Sequence, residues 1–180
     1  MQMFLAHRRV AFLLAQHGVD ELELCGPREA ARAAGATTLL VAPSGGVVTT
    51  TVDGVLHRSH QVDRVIADVV VSEIDALVLP DGETNSLSLR QDSAATQLVR
   101  DFAAAQKPVG AFGFAVLSLM DAGILGGRDV TGSQAVRADV MRAGARWHDR
   151  RVVVDGNVIT SRGAPDVAAF NTQLVAYLDR

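Results

Sequence analysis

The stretch KPVGAFGFAVLSLMDAGIL, residues 107–125, decides the fold. Val109 to Phe112 is a short apolar run that reads as a buried strand, and Phe114 to Met120 reads as an apolar helix. Gly113 stands at the corner between them. In an open α/β sheet such a corner lies at the carboxyl ends of the strands, where ligands bind. A tight strand-to-helix turn is also a favoured seat for a nucleophile. Here the corner residue has no side chain.

Outward from this corner, short apolar runs alternate with helical patterns, the signature of βαβ units and a parallel sheet. Arg9–Ala15, Thr37–Pro43 and Asp75–Pro80 read as buried strands. The segment from Asp20 is Ala-rich and reads as a helix closed by Gly35, and Ser93–Gln106 as an amphipathic helix with Leu98, Phe102 and Ala105 on one face. Asp53–Gly54 and Asp155–Gly156–Asn157 mark hairpins between β-branched runs. Val62–Val69 reads as a short helix, Ser133–Ala145 as a helix ending near Gly144, and Ala164–Leu178 as the closing helix with Pro165 in its first turn. The expected architecture is a three-layer α/β sandwich forming a single domain over residues 1–180.

Composition narrows the partners. Of 180 residues 48% are apolar, which suits a compact core, and a net charge of −3 with a pI near 5.9 offers no basic field for nucleic acid or anionic membrane. A single cysteine, Cys25, excludes an internal disulfide framework and fits a reducing cytoplasm. Arg8–Arg9 precede an apolar run of only six residues, too short for an export signal or a membrane span. His57 and His60 stand three apart without a cysteine or carboxylate at matching spacing, so no metal is expected. The Gly45–Gly46 and Gly126–Gly127 pairs lack the strand–GxGxxG–helix setting of a nucleotide site, and no cofactor is expected.

Several segments together resemble the PfpI family of intracellular proteases, general stress proteins and the Parkinsonism-associated deglycase. They are VDELEL after the first strand, DALVLPDG after a later one, KPVGAFG at the corner, and LSLMDAGILGGRDVTG followed by RADVMRAGARWHDRRVVVDGNVITSRGAPDVAAFN. The resemblance spans about residues 9–178. It implies a flavodoxin-like sandwich with a mainly parallel central sheet, like class I glutamine amidotransferases, and a homodimer or higher oligomer.

The resemblance also implies a Cys–His pair at the corner. Those positions fall on Gly113 and Phe114, and the family's thiol-holding glutamate matches Asp20. An acid supplied by a neighbouring subunit would fall near Leu87. The usual Pro-Gly-Gly loop is Pro80–Asp81–Gly82, with Asp81 in the first glycine position. Glycine supplies no atom to attack and phenylalanine moves no proton, while Asp81 sets negative charge near a developing oxyanion. Glycine instead enters positive φ without the strain a corner nucleophile carries.

Other residues have two readings each. Asp20 either holds the corner amides or caps the helix at Leu22. Phe114 fills the former pocket or packs under the following helix. Cys25 is a dipole-activated thiol or a small buried hydrophobe, and His17 approaches the pocket or stays a surface residue. The acids of Asp81–Asn85 read as a solvated loop. The resulting expectation is a catalytically inactive, cytoplasmic, stress-related binding or scaffold homo-oligomer with a small-molecule ligand at the vestigial pocket of Asp20, Asp81, Gly82, Gly113 and Phe114. The alternative is an enzyme of changed chemistry, hydrolase, deglycase or hydratase/lyase in type, using acids around the same pocket.

Overall fold

The computed structural model describes residues 4–180. In chain order the elements are β1 (Arg9–Leu13), β2 (Val19–Asp20), α1 (Glu21–Ala33), β3 (Thr37–Ala42), β4 (Val47–Val52), β5 (Val55–Gln61), β6 (Arg64–Val65) and β7 (Ala76–Leu79). They continue with α2 (Glu83–Arg90), α3 (Ser93–Ala104), β8 (Val109–Phe112), α4 (Val116–Asp121), β9 (Asp129–Val130) and α5 (Arg137–Arg142). The last are β10 (Arg146–Trp147), β11 (Val152–Asp155), β12 (Val158–Ser161) and α6 (Val167–Leu178). The central sheet has the order β11-β12-β8-β7-β1-β3-β6, parallel throughout except for the β11–β12 hairpin. This is the flavodoxin-like α/β sandwich.

Side-chain alternation along each strand builds two cores. Ala11, Leu13, Leu77, Leu79, Val109 and Ala111 face the layer that includes Leu98, Phe102 and Leu119 of α3 and α4. Val10, Phe12, Val78 and Phe112 face α1 and α6 through Leu24, Phe170 and Leu174. Phe112 and Phe170 meet with ring centroids 4.1 Å apart. Gly110 makes room for this, since a Cβ there would lie 2.5 Å from Phe170 Cζ.

Two local readings are corrected. Val62–Val69 is a two-residue strand, β6, paired with β3, followed by one 3-10 turn at Ile66–Asp68. Pairing of Arg64 and Val65 to the sheet edge overrides the helical pattern. The segment after Asp81 is not a solvated loop either. It is α2, which carries Asn85 and Ser86 fully buried. Asn85 accepts from the Ala15 amide at 2.7 Å and donates to the carbonyls of Pro80 (3.0 Å) and Asp81 (3.3 Å). One side chain thereby ties the ends of β1 and β7 together.

Among the described residues no helix is long and apolar enough to cross a membrane. Replacing Asn85 with Ala would leave the buried Ala15 amide and Pro80 carbonyl without this partner, while the Asp81 carbonyl keeps the Asp20 amide. Asn85→Ala is expected to lower unfolding stability by roughly 2–4 kcal/mol, read from the denaturant midpoint at unchanged m-value.

Candidate functional site

Strand register builds the corner. β7 and β8 are parallel neighbours with Leu79 opposite Ala111, so residues 81 and 113, each two positions further on, come out side by side. Gly113 leaves β8 at φ +48°, in the left-handed region where a Cβ is strained, and the chain makes one 3-10 turn before α4. A Cβ at position 113 would lie 2.7 Å from Asp81 Cγ and closer still to Asp81 Oδ2. The carboxylate of Asp81 thus occupies the space into which a side chain at the corner would project.

That carboxylate is held on both oxygens. Oδ2 accepts from the Phe114 amide at 2.9 Å and Oδ1 from the Ser86 hydroxyl at 3.2 Å. Burial pushes the Asp81 pKa up to about 6, against the lowering effect of the Phe114, Ser86 and Gly82 hydrogen bonds. Behind it, α1 delivers Glu23, 2% exposed, whose Oε2 accepts from the Asp81 amide at 2.7 Å. Burial first, then the charges of Asp81 and Asp20, raise Glu23 to about 9. At neutral pH Glu23 is a neutral acid beside an ionised Asp81.

Glu23, and not Asp20, is therefore the acidic residue against the corner. Asp20 has extended backbone (φ −69°, ψ 123°) and accepts from the amides of Leu22 (2.9 Å) and Glu23 (3.0 Å), so it is the N-cap of α1. Its side chain is spent on the helix end, and only its charge reaches the pair. Gly82, at φ +105°, lets the loop pass close to Gly18, whose carbonyl a Cβ there would strike. Phe114 is half-buried and packs against the core under α4, while its amide serves Asp81.

The remaining candidates stand apart from the corner. Glu83 lines a cleft of about 320 Å³ with Asp20, Thr51 and Asp53, on the far side of Gly82. His17 is a surface residue 3.0 Å from the Thr49 hydroxyl. Leu87 is exposed on α2. The Cys25 thiol is half-buried and hydrogen-bonded to Glu21, and burial together with that carboxylate raises it to about 11. It is an inert thiol in this setting.

The description "DJ-1/PfpI family" matches residues 8–177. The chain belongs to the DJ-1/PfpI family. Deglycase PfpI of Pyrococcus furiosus is 32% identical over 170 residues, covering 94% of this chain and 99% of that protein. Protein/nucleic acid deglycase 2 of Escherichia coli is 31% identical over 172 residues, 95% and 98% of the two chains. A crystal structure of an Anabaena variabilis protein with DJ-1/ThiJ/PfpI-like and ferritin-like domains superposes with a TM-score of 0.89 at 29% identity, over 95% of this chain and 48% of that one.

Within the DJ-1/PfpI fold the corner of this chain can hold and release a proton at Asp81 and present one occupied amide, but it presents no thiol. The signal for Glu23 was in the sequence. Glu23 stands at i, i+4, i+8 spacing with Pro27 and Ala31, so it shares the buried face of the helix.

Two outcomes follow from this packing. Gly113→Ala alone is expected to cost roughly 3 kcal/mol, and about 1 kcal/mol in an Asp81→Ala background where only backbone strain remains; a double-mutant cycle in urea reads the difference. The second concerns pH. A carboxyl whose folded pKa lies above its unfolded value holds its proton more tightly when folded, so its contribution is fully present below pH 4 and lost as pH rises toward 6. For Asp81, moving from its usual 3.8 to about 6, the loss is about 3 kcal/mol. Asp81→Asn keeps the acceptor for Phe114 and should gain on wild type by up to that amount between pH 4 and pH 7.5.

Proposed function

We propose that this chain performs no thiol chemistry at its strand-to-helix corner and works there by binding a small molecule, as a homo-oligomer. One observation carries the reading. The Asp81 carboxylate stands where a corner nucleophile would project and already uses the Phe114 amide that an anionic intermediate would need. A ligand for such a site is a neutral or cationic hydrogen-bond donor rather than an anion. The exposed Val55 and Leu56 at the start of β5 support self-association, which native mass spectrometry reads directly.

A second reading is favoured by the same carboxylate. Asp81 is partly exposed and titrates near neutrality, which suits a general base. It would remove a proton from water or from carbon beside a carbonyl without a covalent intermediate. Relatives named as deglycases make small carbonyl compounds the natural probe.

Methylglyoxal consumption separates the two. Wild type is expected to match the no-enzyme control; turnover abolished by Asp81→Asn would establish the second reading in its place. Gly113→Cys with Phe114→His is expected to remain inactive while Asp81 fills the corner, and to gain a reactive thiol only when Asp81→Gly is added. Asp20→Glu adds nothing, since Glu23 already stands behind the corner.

A further inference from the structure

Away from the corner, α1 opens with Glu21 and reaches Cys25 one turn later, so both side chains leave the helix on one face. The β4–β5 hairpin covers that face. Cys25 Sγ donates to Glu21 Oε1 at 3.4 Å, and Glu21 Oε2 lies 3.0 Å from His60 Nε2 on β5. One ligand atom from each of the three lies within 4.8 Å of the other two. The Glu21 side chain is 6% exposed and that of His60 15%, and Glu21 and Cys25 line a cleft of about 400 Å³. Glu29, His57 and Arg58 line the outer part of that cleft.

We propose that Glu21, Cys25 and His60 form a binding site for a zinc-class divalent transition-metal ion, with a fourth position open to the cleft. Tetrahedral zinc, with its sulfur about 2.3 Å away and its nitrogen and oxygen about 2.0 Å away, sets ligand atoms about 3.3–3.5 Å apart. Cys25 and His60 each already stand at about such a distance from a Glu21 oxygen, the thiol from Oε1 and the imidazole from Oε2, and the three groups must draw in by about an ångström to share one ion. The present hydrogen bonds hold the triangle with protons where the ion would sit. On binding, Cys25 gives its proton to solvent and His60 presents an unprotonated Nε2. Thiolate, carboxylate and a dication sum to neutrality. The donor set of sulfur, nitrogen and oxygen suits zinc or cobalt over magnesium or calcium. Arg58, 3.7 Å from Glu21 Oε1 and largely exposed, is free to swing into solvent as the ion enters.

Spacing along the chain conceals this site, since Glu21 and His60 are 39 residues apart. It is independent of the corner, because Glu21 and Glu23 leave α1 on different sides.

The full chain, stripped with a chelator, is titrated with Zn²⁺ against a chromophoric competitor and with Co²⁺ by absorption. One ion per chain is expected, with a thiolate-to-cobalt charge-transfer band. Cys25→Ser and His60→Gln should each weaken Zn²⁺ binding at least a hundredfold, and His57→Ala should bind as wild type. The two ligand variants come from different elements, so either one that stays folded carries the test. Wild-type binding no tighter than the folded ligand variant, or a cobalt spectrum without the thiolate band, overturns the proposal. So does an equal loss in His57→Ala.

Discussion

The corner of this molecule is governed by exclusion: a carboxylate at position 81 and any side chain at position 113 cannot occupy the same space. Parallel pairing of β7 with β8 brings the two positions level, and the left-handed turn at Gly113 aims its missing Cβ at the Asp81 oxygens. The surrounding contacts follow from this. The Phe114 amide and the Ser86 hydroxyl both bond the carboxylate lying in that gap, and Glu23 holds the same residue by its backbone amide.

Two largely buried carboxyls close enough to feel each other's charge would be unstable if both were ionised. The fold resolves this by unequal provision. Asp81 has a hydrogen-bond donor on each oxygen and some access to water, so it carries the charge. Glu23 is more deeply buried and close to two other acids, so it keeps its proton. Asn85 supports the arrangement from below, fixing the Pro80–Asp81 carbonyls against the end of β1.

Much of the fold was legible in sequence. Strand-length apolar runs between helical patterns gave the parallel sheet, and the turn at Asp53–Gly54, with φ of 50° and 76°, lies where its dipeptide placed it. Gly113 adopts the positive φ that its place at the corner predicts. The misses share a cause. Pairing to a sheet edge made β6 a strand, and Asn85 and Ser86 form a buried helical face within a polar segment, so local pattern misled where tertiary contacts decide. For the site, the departures at 113 and 114 were visible. Asp20 takes the second of its two readings, the helix cap, and Glu23 went unnoticed because only helix geometry tells which carboxyl of that acidic turn points inward. That Asp81 fills the space beside Gly113 needed strand register, which no single segment encodes.

The exclusion between positions 81 and 113 also imposes direction on change. With a side chain at 113, the Asp81 carboxylate could not keep its present place on the Phe114 amide. Once Asp81 has settled on the Phe114 amide, restoring a side chain at 113 meets the carboxylate and the left-handed backbone together. A change that puts a thiol at the corner must therefore begin at residue 81, on a neighbouring strand, rather than at the corner itself.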